Sequence, residues 1–221
     1  MNTKYFKKHK VFDIMCTNIE QQEDVHMVKG DIKYNQYLQI LREELIPAMG
    51  CTEPIAMAYA AAKARAVLGA MPDKIDIVIS GNIIKNVKSV VVPNTGGLKG
   101  IAAAIAAGVA VGDENKQLEV LADVKEEDVH LVPEFMEKCE MNVMKSESDK
   151  LLDIDLHLYK NSDIVHLRIT DFHTNIVLIE KNGETLLKLD DAGSDGGETD
   201  RSVLNVKEII EFAECVDLSE V

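Results

Sequence analysis

Between Asn142 and Leu189 the apolar residues of this chain recur at every second position, and no helix can accommodate that spacing. Leu152, Ile154, Leu156 and Leu158 alternate with Asp153, Asp155, His157 and Tyr159, and Val165, Leu167 and Ile169 repeat the pattern. Such strands have one buried and one wetted face, which suits an antiparallel sheet. Asn182-Gly183, after the run Ile176 to Glu180, is a strong hairpin-turn signal.

The preceding stretch follows a different period. Tyr34, Tyr37, Leu38, Leu41 and Leu45 share one face of a predicted helix that Asp31 can cap and Pro47 ends. A second helix is predicted from Thr52 to about Leu68, with Thr52 as N-cap and Gly69 as its stop. Ile75, Ile77 and Ile79 read as a strand, and Val87 to Val92 as another, ended by Pro93. Gly100 to Gly112 is a tight small-residue helix, and a polar helix is expected near Glu126 to Lys138. Asn205 and Glu208 form a capping-box pattern before Ile209, Ile210 and Ala213.

The expected fold class is therefore α+β, with helices packed on a small sheet followed by a mostly antiparallel sheet. The expected segments are a polar extension over 1–30, a helical and mixed part over 31–140, the antiparallel part over 141–202, and the start of a helical part over 203–221. Asp217 and Glu220 look like one more capping box with no helix after it, so the chain reads as cut off.

With 24 basic against 38 acidic residues the net charge is −14, which argues against nucleic acid and anionic membrane surfaces as partners. Aromatic residues make up only 5% and Trp is absent, so stacking platforms for bases are not expected. The longest small-apolar run, Ile101 to Val111, falls short of the ~20 residues a membrane helix needs. Cys16, Cys51, Cys139 and Cys215 show no paired spacing, no zinc motif appears, and no signal-peptide pattern opens the chain, so a reducing cytoplasm is the expected compartment.

Cys51 lies at the mouth of the predicted second helix, where roughly half a positive charge favours the thiolate that a nucleophile or soft metal ligand needs, or it is a small buried residue before an ordinary capped helix. Three polar turns lie at element ends: Cys51-Thr52-Glu53; Ser80-Gly81-Asn82 with Lys85 and Asn86 nearby; and Asn94-Thr95-Gly96-Gly97. A glycine-rich turn feeding a helix presents free N–H groups to a carboxylate or phosphate, or serves only as a turn. A fourth cluster is Asp171 to Asn175, in which His173 is either a general acid or base or part of a tight turn held by Asp171 and Asn175. His157 and His166 are expected on wetted strand faces, and Cys139 and Cys215 as packing residues.

Taken together, GCTEPIAMAYAAAKA, SGNIIKN, VPNTGGLKGIAAAIAAG and HTNIVLIEK resemble the L-cysteine desulfidases, which are related to the iron–sulfur L-serine dehydratases. The resemblance runs from Tyr37 to Val221. It implies a carbon–sulfur lyase of cysteine catabolism, or an L-serine ammonia-lyase, built around an oxygen-sensitive [4Fe–4S] cluster. Cys51 would be its one cluster ligand here, the other cluster cysteines lying in a C-terminal half or partner subunit. This chain alone would then be metal-free and inactive, since clusters need several thiolates. The resemblance implies Glu53, Lys85 and His173 as candidates for proton transfer. It implies Thr52, Ser80, Asn82, Asn86, Asn94, Thr95, Gly96, Thr174 and Asn175 as contacts for a small amino acid, L-cysteine or L-serine. Two other readings are a non-catalytic amino-acid-binding or regulatory domain, and a thiol enzyme pairing Cys51 with His173. A homodimer through exposed apolar faces is a further expectation.

Overall fold

In the computed structural model, residues 27–189 and 199–221 are described. Cys16, most of the expected 1–30 extension and most of the Gly/Asp/Ser loop after Ala192 lie outside them. The chain divides into two compact units, one of residues up to Leu45 together with Glu198–Val221, the other Ile46–Gly197. The fold class is α+β.

In the first unit, helix α1 (Ile32–Glu44) buries Tyr34, Tyr37 and Leu38 along the predicted face. These pack with Met27 and with Phe212, whose ring centroid lies 5.4 Å from that of Tyr34 and 5.5 Å from that of Tyr37. The Tyr37 hydroxyl donates to the Val203 carbonyl at 2.9 Å, so the buried ring keeps a partner for its polar tip. Asp31 occupies the N-cap, but its carboxylate accepts from the Val28 N–H outside the helix. Asn205 caps Val206–Cys215 by accepting from the Glu208 N–H at 3.0 Å, which is half of the expected capping box. The Glu208 carboxylate is engaged by Lys33 instead.

The second unit is built on a helix that is buried on every side over residues 54–62. Helix α2 (Thr52–Leu68) buries Ile55, Met57 and the alanines at 56, 58, 60, 61, 62 and 64. A helix buried all round has no amphipathic stripe. The alanines let a neighbouring backbone approach closely, and the helix Gly100–Val111 does so through Gly108. A Cβ on Gly108 would lie 2.0 Å from the Ala58 carbonyl oxygen. Gly69 ends α2 in the left-handed region, as expected.

One sheet of six strands supports these helices. Its strands are β1 (Lys74–Ile79), β2 (Glu140–Lys145), β3 (Asp153–Lys160), β4 (Asp163–Thr170), β5 (Ile176–Lys181) and β6 (Glu184–Lys188). They lie in the order β2-β1-β3-β4-β5-β6. β1 pairs with β2 in parallel, through a long helical crossover, and every other pairing is antiparallel. Thus β1, which the sequence groups with the helices, is an inner strand beside the period-two strands. Ile75, Ile77, Ile79, Ile154, Leu156, Leu158, Val165, Leu167 and Ile169 are fully buried on the helix side. The alternate residues point away from the helices. Asn182-Gly183 turns β5 into β6 with positive φ at both residues, as its sequence predicts.

The strand expected over Val87–Val92 is not formed. Ser80 caps a short helix, α3 (Gly81–Val87), by accepting from the Ile83 N–H. Ile83 and Val87, one helical turn apart, are both fully buried. That pairing outweighs the β-branched run after it, of which only a single bridge, Val91 to Lys99, remains. The small-residue helix (Gly100–Val111) is α4. The expected polar helix is a 3-10 turn at Glu126–Asp128 followed by α5 (Leu131–Lys138). Helix Val206–Cys215 of the first unit is α6. Asp217 accepts from the Ser219 N–H and starts a final 3-10 turn, Leu218–Glu220.

Candidate functional site

The start of α2 gathers the densest set of sequence-predicted residues. Glu53 sits in the first turn, and its carboxylate collects three donors. The Cys51 thiol donates to one oxygen at 3.2 Å, and the Thr52 hydroxyl reaches the same oxygen at 3.4 Å. The Asn86 side-chain amide, brought over by α3, donates to the other at 3.1 Å. All three N-terminal residues are half-buried. Cys51, rather than Thr52, is the N-cap residue, with extended backbone angles.

This arrangement corrects the expectation of an activated thiol. Burial raises the Cys51 pKa, and the hydrogen bond to Glu53 raises it further, against the opposing Glu53 N–H. Burial alone would push Glu53 upward too. Hydrogen bonds from Cys51, its own backbone and Asn86 outweigh that and hold the carboxyl below its ordinary range. The pair therefore rests as thiol and carboxylate. His173 stands close enough to feel Glu53, but burial dominates and lowers its pKa, so the ring is neutral near neutral pH.

The other predicted residues fall into two groups. Ser80 and Thr95 are buried and serve the backbone: Ser80 donates to the Leu151 carbonyl at 2.7 Å, and Thr95 to the Val92 carbonyl at 2.8 Å. Asn94 has positive φ and donates to the Leu121 carbonyl at 2.8 Å, and Asn175 donates to the Thr170 carbonyl at 3.0 Å. These residues shape the turns. Gly96 has φ near 70° in its loop, and Pro93 at the base of that loop lies against Gly50. Asn82 and Lys85 are exposed on α3, and Thr174 is half-buried beside His173. Cys139 is buried, with its thiol pushed up to about 11 by burial first and nearby acids second, which fits a packing residue. Cys51, Cys139 and Cys215 are free.

Sequence reasoning missed a second cluster. His157 and His166 are half-buried rather than wetted, and their rings stack with centroids 4.1 Å apart. Both Nε2 atoms face one oxygen of Asp155, at 3.2 Å from His157 and 2.8 Å from His166. At the far end of the sheet, a groove of about 380 Å³ is lined by Met71, Asp73, Leu131, Phe135, Lys138 and Lys160, among others. None of the predicted residues lines it.

Fold and site together define an α+β domain whose buried, alanine-rich helix presents a carboxylate-centred polar cluster at its start. Over most of its length the chain is similar to proteins named UPF0597. It is 49% identical to one from Desulfitobacterium hafniense over 88% of this chain and 46% of that protein. It is 48% identical to one from Treponema denticola over 86% and 44%, and 44% identical to one from Fusobacterium nucleatum over 85% and 44%. The chain spans about half the length of the curated relatives it matches. No family model and no solved structure matches it.

These findings overturn the desulfidase resemblance. The similarity over 85–88% of the chain runs to UPF0597 proteins, whose names state no lyase activity. The reading of the chain as an inactive, cut-down part of an iron–sulfur cysteine desulfidase or serine dehydratase falls with it. The motif strings are short and centred on turns and a capped helix, which other proteins need for structural reasons alone. Among the described residues, no helix is long and apolar enough to cross a membrane.

Proposed function

We propose that residues 46–197 bind a small amine-bearing molecule of amino-acid size, with its ammonium group at Glu53. One observation carries this reading. Glu53 is a half-buried, ionised carboxylate, and the donors that hold it, from Cys51, Thr52 and Asn86, are uncharged. A half-buried charge without a neutralising partner is costly, and a bound ammonium supplies one. Neutral His173 beside it does not compete for that role. In this reading Thr174 and the exposed Lys85 and Asn82 border the site, and Ser80, Asn94, Thr95, Gly96 and Asn175 hold its turns in place.

The test is calorimetric titration of the full chain with L-amino acids, L-cysteine and L-serine among them, alongside their deaminated analogues. Saturable binding that needs the amine and weakens at least ~10-fold in folded Glu53→Gln supports the site, as expected for a lost charge-assisted contact. Equal binding by that variant, or no binding by any amine, refutes it.

A further inference from the structure

We propose that Asp155, His157 and His166 form a binding site for a divalent transition-metal ion of the zinc type. The site lies on the face of the sheet turned away from the helices. Asp155 and His157 are two residues apart on β3 and so share that face, and His166 is directly opposite His157 on β4. Their ligand atoms, one carboxylate oxygen and two imidazole nitrogens, all lie within 4.8 Å of one another. Zinc takes such donors at ~2.0–2.2 Å in tetrahedral array, which sets donor atoms roughly 3.3–3.5 Å apart. The observed 2.8 and 3.2 Å from Asp155 to the two rings are close to that spacing, and the near-parallel rings, 13° apart, tilt for both lone pairs to point at one ion.

The partners of His166 supply an independent argument. Its Nε2 faces Asp155 at 2.8 Å and its Nδ1 faces Glu180 at 3.4 Å. A neutral imidazole has one N–H and cannot donate to two carboxylates. Metal-free, a neutral His166 leaves one of these two contacts without a proton to share. The ring is also stacked on His157, whose Nε2 faces the same Asp155 oxygen. A metal ion resolves the conflict. His166 then keeps its proton on Nδ1 for Glu180 and gives the Nε2 lone pair to the metal. The resulting carboxylate–histidine–metal relay is a common outer support in metal sites. Thr185 steadies Glu180 through a hydroxyl donated at 3.1 Å. The nearby Arg168 guanidinium is held by Asp153 at 2.9 and 3.2 Å, so its charge is largely compensated. Nitrogen and oxygen donors without sulfur suit zinc, cobalt or nickel better than copper(I). The side chains of His166 and Asp155 are 21% and 22% exposed, which leaves a coordination position open to water.

The full chain, stripped with chelator, is titrated with cobalt(II) and then with zinc. Expected are visible d–d bands that saturate at one equivalent and bleach on addition of zinc. His157→Gln should weaken binding by more than roughly 100-fold, and Glu180→Gln, which touches no metal, by roughly 10–100-fold. Both variants leave the helix-side core intact, and circular dichroism checks this. Absence of bands in the wild-type chain overturns the proposal, as does unchanged affinity in folded His157→Gln.

Discussion

Replacing Gly108 by alanine tests the packing that positions the Glu53 cluster. Alanine is ordinarily the better helix residue, by about 1 kcal/mol over glycine. Here its Cβ would stand 2.0 Å from the Ala58 carbonyl oxygen and 2.7 Å from the Ala58 carbonyl carbon and Cα. Ordinary van der Waals contact begins near 3.4 Å, so α2 and α4 must part by more than 1 Å. The obstruction is backbone, so no rotamer change relieves it. Overpacking a dense core costs ~1–3 kcal/mol, sometimes more, and a rigid obstacle places this case at the upper end. After the helix-propensity gain, the net loss is about 2 kcal/mol. For a protein of this size that lowers the unfolding midpoint by roughly 4–8 °C. Urea and thermal unfolding followed by circular dichroism measure it. A Gly108→Ala protein as stable as wild type, or more so, would refute the close approach of the two helices. The same displacement moves the start of α2, so Cys51 alkylation in the folded variant should depart from the wild-type rate.

Three further outcomes follow from named contacts. Glu53→Gln removes the carboxylate that holds the Cys51 proton, so alkylation of Cys51 near neutral pH should quicken, and an unchanged or slower rate contradicts the assignment. Ser80→Ala removes the N-cap of α3 and a buried hydroxyl bonded to Leu151, and should cost ~1–2 kcal/mol in denaturant unfolding; a cost near zero would count against the cap. In metal-free protein, Asp155 is depressed below its unfolded value of 3.8, so its contribution is present above that pH and fades as pH falls toward the folded value. His166 is raised above 6.5, so its contribution is full below that pH and is lost as pH rises through the folded value. His157, Glu180 and Arg168 face the same pair. The stability difference between wild type and Asp155→Asn should therefore peak between pH 3.8 and 6.5. A difference that grows steadily above that window would contradict the pairing.

Much of this fold is legible in the sequence, and the rest is not for identifiable reasons. Helix α2 and the period-two strands are plain because their burial patterns are long and unbroken. Helix α3 was hidden because its seven residues carry only two buried positions, Ile83 and Val87, beside a conspicuous β-branched run. The inner position of β1 is not readable from Ile75, Ile77 and Ile79, since alternation records burial and not the neighbouring strand. The histidine pair, by contrast, was within reach. Asn161 and Ser162 form a two-residue turn with Asn161 at positive φ, which sets Lys160 opposite Asp163. Counting back along both strands from that turn places His157 opposite His166. Treating each strand alone, as a wetted face, discards that information.

Cys51 shows why local sequence pattern misjudges chemistry. A helix start supplies about half a positive charge, shared over a turn and screened by solvent. Two residues on, Glu53 supplies a full negative charge at hydrogen-bond distance, 3.2 Å from the sulfur. Burial opposes the thiolate most, and the nearer, larger charge of Glu53 adds to it, so the residue that looks most like a nucleophile is the one held protonated. The same contact changes what Glu53 can do. A carboxylate steadied by a thiol, a hydroxyl and an amide keeps its charge while half-buried, which an isolated glutamate in that place would resist. The sharp feature of the GCTEP turn is therefore the carboxylate, and Cys51 and Thr52 are residues that steady its charge.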